Sequence, residues 1–322
     1  MFTSLHLKNM TINTPVFAAP LAGITDRPYR QILRKCAPDA PLLTEMISCH
    51  ALINNRKPSP NTGNKRNFDN LSDEGLIGAQ IFGADPAIMA TGAKILEQNG
   101  ASWIDINMGC PVPKVATKAG AGAFLMRDPK LAGHIVDAVV RSVKIPVSIK
   151  TRLGWDNSSL HSAELVRICA DNGAQFATIH GRTRAQGYAG LADRMKSLDI
   201  KHTAPIPVMY NGDIKTTVDI AEIEKMGFDG AMVGRAILGN PWLMDELTRP
   251  GYKKPDSIGP IIIEHLHLTL EYYGVRAGVP LFRKHAAWYS AGMTGGAEFR
   301  TRINQIIDPA EMERAILEFF KI

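Results

Sequence analysis

Eight short apolar runs, amphipathic stretches between most of them, and a polar residue near the end of run after run together predict a TIM (β/α)8 barrel. Eight repeating βα units suit a closed barrel better than an open doubly wound sheet.

In chain order the runs are PVFAAPLAG (15–23), LLTEM (42–46), GLIGAQIFG (75–83), WIDINMG (103–109), PVSIKTRLG (146–154), FATIHGR (176–182), PVMYNGD (207–213) and DGAMVGRA (229–236). Runs this short and this apolar read as strands buried on both faces. Between them, PAIMATGAKILEQNGA and SAELVRICADNGAQ carry helical spacing, and the second ends in Asn-Gly as a helix C-terminus often does. Past Pro241 the pattern changes. The stretch RPGYKKPDSIGP (249–260) is a linker by composition, and it leads into IIIEHLHLTLEYYG, VPLFRKHAAWYSAGM and PAEMERAILEFF, all at helical spacing with no strand signal. The expected organisation is a barrel over residues 1–245 and a small helical domain over 255–322.

The chain has 322 residues, 45% hydrophobic and 21% charged, enough apolar material for a large core. Its four cysteines (Cys36, Cys49, Cys110, Cys169) stand far apart and form no metal-ligand spacing, so neither a disulfide framework nor a metal site is expected. No stretch approaches the roughly 18 apolar residues of a membrane span, and a soluble, cytoplasmic protein is expected. The formal charge is +6, and its distribution matters more than its size. Residues 110–152 hold eight Lys or Arg against two Asp, and RKPSPNTGNKR (56–66) holds four basic residues and no acid. Both windows suit a polyanionic partner.

In such a barrel the C-terminal strand ends face the active site. Polar residues fall there strand after strand: Gln80, Asn107 with Cys110, Lys150 with Arg152, His180 with Arg182, Asn211 with Asp213, and Gly234 with Arg235. Glycines in NGDI (211–214) and GRAILGNP (234–241) free backbone N–H groups where barrels commonly hold a phosphate, with Arg235 as a charge partner. A flavin fits: Lys150 suits the negative charge of a reduced ring, and Gln80 and Asn107 suit its amide-like edge. Lys150 also fits a salt bridge closing the barrel. Cys110 sits in a Gly-Cys-Pro turn with Lys114 and Lys118 behind it, a setting that suits a proton donor or a nucleophile.

These stretches resemble a known family. APLAGITDRPYR, EMIS, QIFGADP, DINMGCPVPKV with GAGAFLM, IKTRLGW, IHGRTRAQGYAGLAD, NGDI, GRAILGNPW and RKHAAWY are similar, in order, to the tRNA dihydrouridine synthases, nearest the bacterial B-like subgroup. The resemblance runs from about residue 15 to about residue 310. It implies an FMN-binding barrel followed by a helical tRNA-binding domain. Cys110 would then be the general acid that protonates carbon 5 of uracil while reduced FMN gives hydride to carbon 6. The cofactor contacts implied are Pro20, Leu21, Ala22, Gln80, Asn107, Lys150, His180, Asn211, Gly212, Asp213, Gly234 and Arg235. NADPH would reduce the flavin; no GxGxxG fingerprint appears, so it would dock transiently. Candidate RNA contacts are Lys114, Lys118, Arg152, Arg182, Arg184, Arg283, Lys284 and His285. The expected partner is tRNA, at a D-loop uridine, with a monomeric chain and no metal. One departure is Arg194, where family members often carry tryptophan. The competing readings are an FMN barrel acting on free pyrimidines, as dihydroorotate dehydrogenase does, and a non-catalytic RNA-binding protein.

Overall fold

Each of the eight predicted runs becomes a strand of one parallel sheet. The computed structural model describes residues 2–54, 68–117 and 119–321. A two-stranded hairpin comes first, β1 (Leu5–Leu7) with β2 (Met10–Ile12). The barrel strands follow: β3 (Val16–Ala18), β4 (Leu42–Leu43), β5 (Ile47–Ser48), β6 (Ile77–Phe82), β7 (Trp103–Met108), β8 (Val147–Arg152), β9 (Phe176–His180), β10 (Val208–Asn211) and β11 (Gly230–Val233). The order is β3-β11-β10-β9-β8-β7-β6-β4, and Ala18 N–H donates to Pro41 C=O at 3.0 Å to close β3 onto the segment entering β4. The second position of the barrel is broken: β4 and β5 both pair with β6, with Thr44, Glu45 and Met46 between them.

Helices of the barrel are α1 (Arg27–Cys36), α2 (Cys49–Ile53), α3 (Pro86–Gln98), α4 (Pro113–Ala116), α5 (Pro129–Ser142), α6 (Ser162–Asp171), α7 (Arg194–Thr203), α8 (Thr217–Lys225) and α9 (Leu243–Thr248). Several start at an aspartate whose side chain accepts from the helix backbone. Asp85 accepts from Ile88 N–H and Asp128 from Leu131 N–H, each followed by proline, which needs no N–H partner in a first turn. Arg194 opens α7 and pairs with Asp219 (2.7 Å) and with Glu222 on α8, so a charged tie holds this place.

The period of two along a strand divides the residues between core and interior. Ile104, Ile106, Ile149, Ala177 and Ile179 point out to the helices. Inward, at the N-terminal end, Phe17, Trp103, Phe176 and Met209 fill the barrel, with Leu5 and Ile12 of the hairpin against them. The same parity carries Gln80, Asp105, Asn107, Lys150, His180 and Asn211 to the interior further up.

After α9 come α10 (Gly259–Tyr273), α11 (Val275–Tyr289), α12 (Gly296–Ile303) and α13 (Pro309–Phe320). Three match the predicted apolar runs. The helix α12 was not expected; in GAEFRTRI Gly296, Phe299 and Ile303 are buried at helical spacing, but Phe299 and Ile303 are its only large apolar residues, too few to mark a helix in the sequence. These helices share their own apolar core with Trp242. Among the described residues no helix is long and apolar enough to cross a membrane.

Candidate active site

A cavity of about 890 Å³ opens at the C-terminal end of the barrel. Its walls include Pro20, Leu21, Ala22, Gln80, Asn107, Cys110, Lys150, Arg152, His180, Arg182, Asn211, Gly212, Asp213, Gly234 and Arg235, so every expected cofactor residue and Cys110 come together here.

Hydrogen bonds fix the direction of each amide. Asn107 Oδ1 accepts from the Gly109 (3.2 Å) and Cys110 (3.0 Å) N–H groups. Its amide nitrogen therefore faces Gln80 Oε1 (2.8 Å), and Gln80 Nε2 faces Asp105 Oδ2 (2.7 Å). Asp105, which also accepts from Ser148 Oγ (2.6 Å), is almost fully buried, and burial pushes its carboxyl up against the pull of those bonds and of Lys150. Lys150 Nζ donates to Asn211 Oδ1 at 2.9 Å, and Asn211 Nδ2 donates to Met232 C=O at 2.7 Å. Burial, with Arg152 nearby, lowers the Lys150 ammonium to about 8.

His180 Nε2 lies 3.2 Å from an Arg182 nitrogen. A guanidinium cannot accept a hydrogen bond, so Nε2 is the acceptor and the ring proton sits on Nδ1. Burial and the surrounding cations push His180 down to about 2, so the ring stays neutral. Arg182 also donates to Ala189 C=O (3.2 Å), Gly190 C=O (2.6 Å) and Asp213 Oδ2 (2.7 Å). Asp213 is held by Arg235 (3.0 Å) and Ala192 N–H (2.9 Å) as well. Burial works to raise the Asp213 carboxyl, but these bonds hold it below the usual range. Gly212 has φ +140°, and a Cβ there would stand 2.5 Å from Ala192 Cβ, so only glycine fits.

Cys110 is half-buried. Burial raises its thiol above the ordinary 9.0, opposed by Val112 N–H and the Arg152 charge, so it is protonated at neutral pH. Arg152 Nε donates to Gly109 C=O at 2.8 Å and ties the cysteine turn to the loop after β9 through Thr183 and Gly187.

Of the residues expected to meet RNA, Arg152, Arg182 and His285 are 3%, 2% and 3% exposed. The two arginines are held inside by backbone carbonyls, and His285 packs among Tyr29, His265 and Trp288. These three are interior groups rather than surface cations. Arg283 donates to Ile306 C=O, Lys284 to Gly23 C=O, and Arg184 stacks 4.5 Å over the Trp155 ring. The side chain of Lys114, all of Lys118 and the basic stretch 56–66 lie outside the described residues. Sequence reasoning missed Asp105 and Tyr188. Asp105 is an acid at inward parity two residues before Asn107 in a fully buried strand, a readable signal. Tyr188 is flanked by Arg152 (5.6 Å) and Arg235 (5.2 Å), an arrangement that only the folded loop shows. Among the described residues no group of acidic, histidine and cysteine side chains could hold a metal ion.

The residues suit a flavin mononucleotide. The cavity has the volume of a cofactor site. Asn240 Oδ1 in its wall is buried without a partner, and Arg235 and Lys215 stand with Gly212 and Gly234 in the same lining. Solved structures agree on the fold: morphinone reductase superposes with a TM-score of 0.54 at 14% identity, over 79% of this chain and 91% of its own. The probable tRNA-dihydrouridine synthase of Rickettsia bellii (strain RML369-C) is 37% identical over 98% of both chains. The tRNA-dihydrouridine synthase B of Pseudomonas aeruginosa is 37% identical over 96% of this chain and 94% of its own. The family model for dihydrouridine synthase spans residues 17–321, and with relatives this similar over nearly the whole length, the chain belongs to the dihydrouridine synthase family.

Proposed function

We propose that the protein reduces uridine in tRNA to 5,6-dihydrouridine, with FMN held in the cavity. The observation that carries this reading is the placement of the Cys110 thiol, on a turn fixed by Asn107 and Arg152, in the wall of a cavity that also holds Lys150 and Arg235. Pro20, Leu21, Ala22, Gln80, Asn107, Lys150, His180, Asn211, Gly212, Asp213, Gly234 and Arg235 would hold the cofactor. The chemistry that FMN supplies when bound is hydride delivery to carbon 6 of the uracil ring, with NADPH as the source of the electron pair.

Cys110 supplies the proton. As the electron pair of the uracil double bond moves to carbon 5, the S–H bond breaks and a C–H bond forms there. The thiolate left behind would accept from Val112 N–H and face the Arg152 charge, and solvent would return its proton. Neutral His180 offers Nδ1–H as a donor and takes no part in proton transfer. The target base must leave its stack to reach this depth, and Arg184, Lys114 and Lys118 would hold the tRNA backbone. The proposed target is a D-loop uridine, with the protein acting as a cytoplasmic monomer without a metal.

The test is mass spectrometry of unmodified tRNA treated with flavin-loaded protein and NADPH, beside Cys110→Ala. Dihydrouridine is expected with the wild type, while the variant keeps flavin and its reduction by NADPH but loses turnover by about a hundredfold or more. Equal turnover removes Cys110 from the mechanism. A flavin-loaded wild type that leaves tRNA untouched but consumes free pyrimidine sinks the tRNA reading.

A further inference from the structure

The lip of the cavity is the loop after β3, where Pro20, Leu21, Ala22 and Ile24 face the cavity. Its turn is made at Gly23, with φ +75°. A Cβ there would meet nothing within 4 Å, so the left-handed backbone, not space, calls for glycine. Both backbone polar groups of Gly23 are gripped by charged side chains from different parts of the fold. Its N–H donates to Glu45, in the break between β4 and β5, and its C=O accepts from Lys284 Nζ on α11. Three residues on, Asp26 accepts from the Tyr273 hydroxyl of α10 at 2.8 Å while capping α1 through Tyr29 N–H. Thr25 C=O accepts from Arg30, itself buried in an ion pair with Glu74 at 2.7 Å. Asp26 is 6% exposed; burial raises both the Asp26 and the Glu45 carboxyls, and the charges of Arg30 and then Lys284 oppose that rise at each.

We infer that Lys284, with Tyr273, is a positioning residue for the cofactor cavity: the C-terminal helices hold the Gly23 lip in place, and Lys284 is an internal clamp rather than a contact for RNA phosphate. Two observations support this independently. Lys284 reaches a backbone carbonyl of the barrel lip from α11, and α10 ties the same loop through a second side chain, the Tyr273 hydroxyl, at Asp26. A lysine serving only as a surface cation has no reason to end on a loop carbonyl between two acids. A loop held at both its N–H and its C=O is pre-formed before a ligand arrives, which lowers the ordering cost of binding.

The inference rests on the FMN reading, and the experiment separates the two. Full-length protein is stripped of flavin and titrated with FMN by fluorescence quenching, and its affinity for tRNA is measured separately by anisotropy. The proteins compared are the wild type, Lys284→Met, Lys284→Arg, Tyr273→Phe and, as a charge control on the same helix, Arg276→Met, whose side chain is exposed. Lys284→Met is expected to weaken FMN binding about tenfold, as loss of one charge-assisted hydrogen bond would. Lys284→Arg should restore most of that, Tyr273→Phe should weaken FMN binding a few fold, and Arg276→Met should leave it unchanged. If Lys284→Met binds FMN like the wild type and loses tRNA affinity, Lys284 is an RNA contact and the inference falls. If Lys284→Met does not fold, Tyr273→Phe decides: unchanged FMN affinity overturns the inference. A wild type that takes up no FMN overturns the functional reading, and this inference with it.

Discussion

Replacing Arg182 by methionine tests the assignment of this arginine as an interior brace. Its guanidinium serves four acceptors: Ala189 and Gly190 carbonyls, Asp213 and His180 Nε2. The substitution does not orphan all of them. Asp213 keeps Arg235 and Ala192 N–H, and the two carbonyls sit in an exposed loop that water can reach. What remains is a buried ring nitrogen without its donor and the lost charged bond to Asp213. Each is worth about 1–3 kcal/mol before the partners Asp213 retains are discounted. The sum is about 3 kcal/mol, the lower end of the cost of breaking a buried pair. With an unfolding entropy near 2.1 cal/mol/K per residue, a chain of this length loses about 4–5 °C of melting temperature. Calorimetry reads that shift, and nitrogen NMR of labelled histidine reads the second consequence: in the variant His180 becomes a mixture of tautomers, whereas in the wild type Nδ1 carries the proton. A variant that melts within a degree of the wild type, with the tautomer unchanged, would refute the reasoning.

Lys150 titrates at about 8 in the cavity, so at pH 8.5 only about a quarter of it is charged. An electron-rich ligand edge beside it raises that value, and FMN binding should take up as much as about 0.7 proton at pH 8.5 and almost none from this group at pH 7. Calorimetry in buffers of different ionisation enthalpy counts the protons; a count equal at both pH values, or unchanged in Lys150→Met, contradicts the assignment. His285 lies in the core between α1 and the C-terminal helices, and burial, then His265 and Lys284, push it well below 6.5. Its folded value is depressed, so the unfolded chain binds the extra proton and stability falls as pH drops below 6.5. Between pH 6.5 and 5.0 the stability lead of the wild type over His285→Phe should shrink by about 1.6 kcal/mol in urea unfolding; a lead that stays constant would show that His285 titrates in the fold as it does in the unfolded chain.

The barrel was legible because parallel strands covered on both sides read as apolar runs, as GLIGAQIF and WIDINM do. The hairpin β1–β2 was not, because LHLKNMTI mixes polar and apolar residues and only Leu5 and Ile12 are buried. That these polar residues line one cavity was legible too: Gln80, Asn107, Lys150, His180 and Asn211 sit at inward parity near strand ends, and the period of two alone brings them together. What each cation faces was not. Arg182 finds its acid 31 positions away at Asp213, and Lys284 finds its carbonyl 261 positions away at Gly23. A charge in a sequence does not say whether its partner is internal or is a nucleic acid, and here Arg152, Arg182 and Lys284 all found internal ones.

The interior of this barrel changes character along its axis, and the change is costly in the absence of a ligand. Phe17, Trp103 and Phe176 make an ordinary apolar layer at one end. Above it, the same inward positions carry a carboxyl raised by burial, an ammonium lowered to about 8 and an imidazole lowered to about 2. Each shift measures how poorly the barrel solvates a charge there, and apolar residues of similar size would make the protein more stable. Their orientation is set before any ligand binds: Asn107 by two backbone N–H groups, Gln80 by Asp105, His180 by Arg182, and Asn211 by Met232 C=O. A polar layer kept at such a cost and so rigidly directed is what electrostatic preorganisation requires, since the donors need not turn when charge develops on a bound ring. The same logic makes the lip clamp part of the site: directed groups at the centre of a cavity gain little if the wall facing them, Pro20 to Ala22, is free to move.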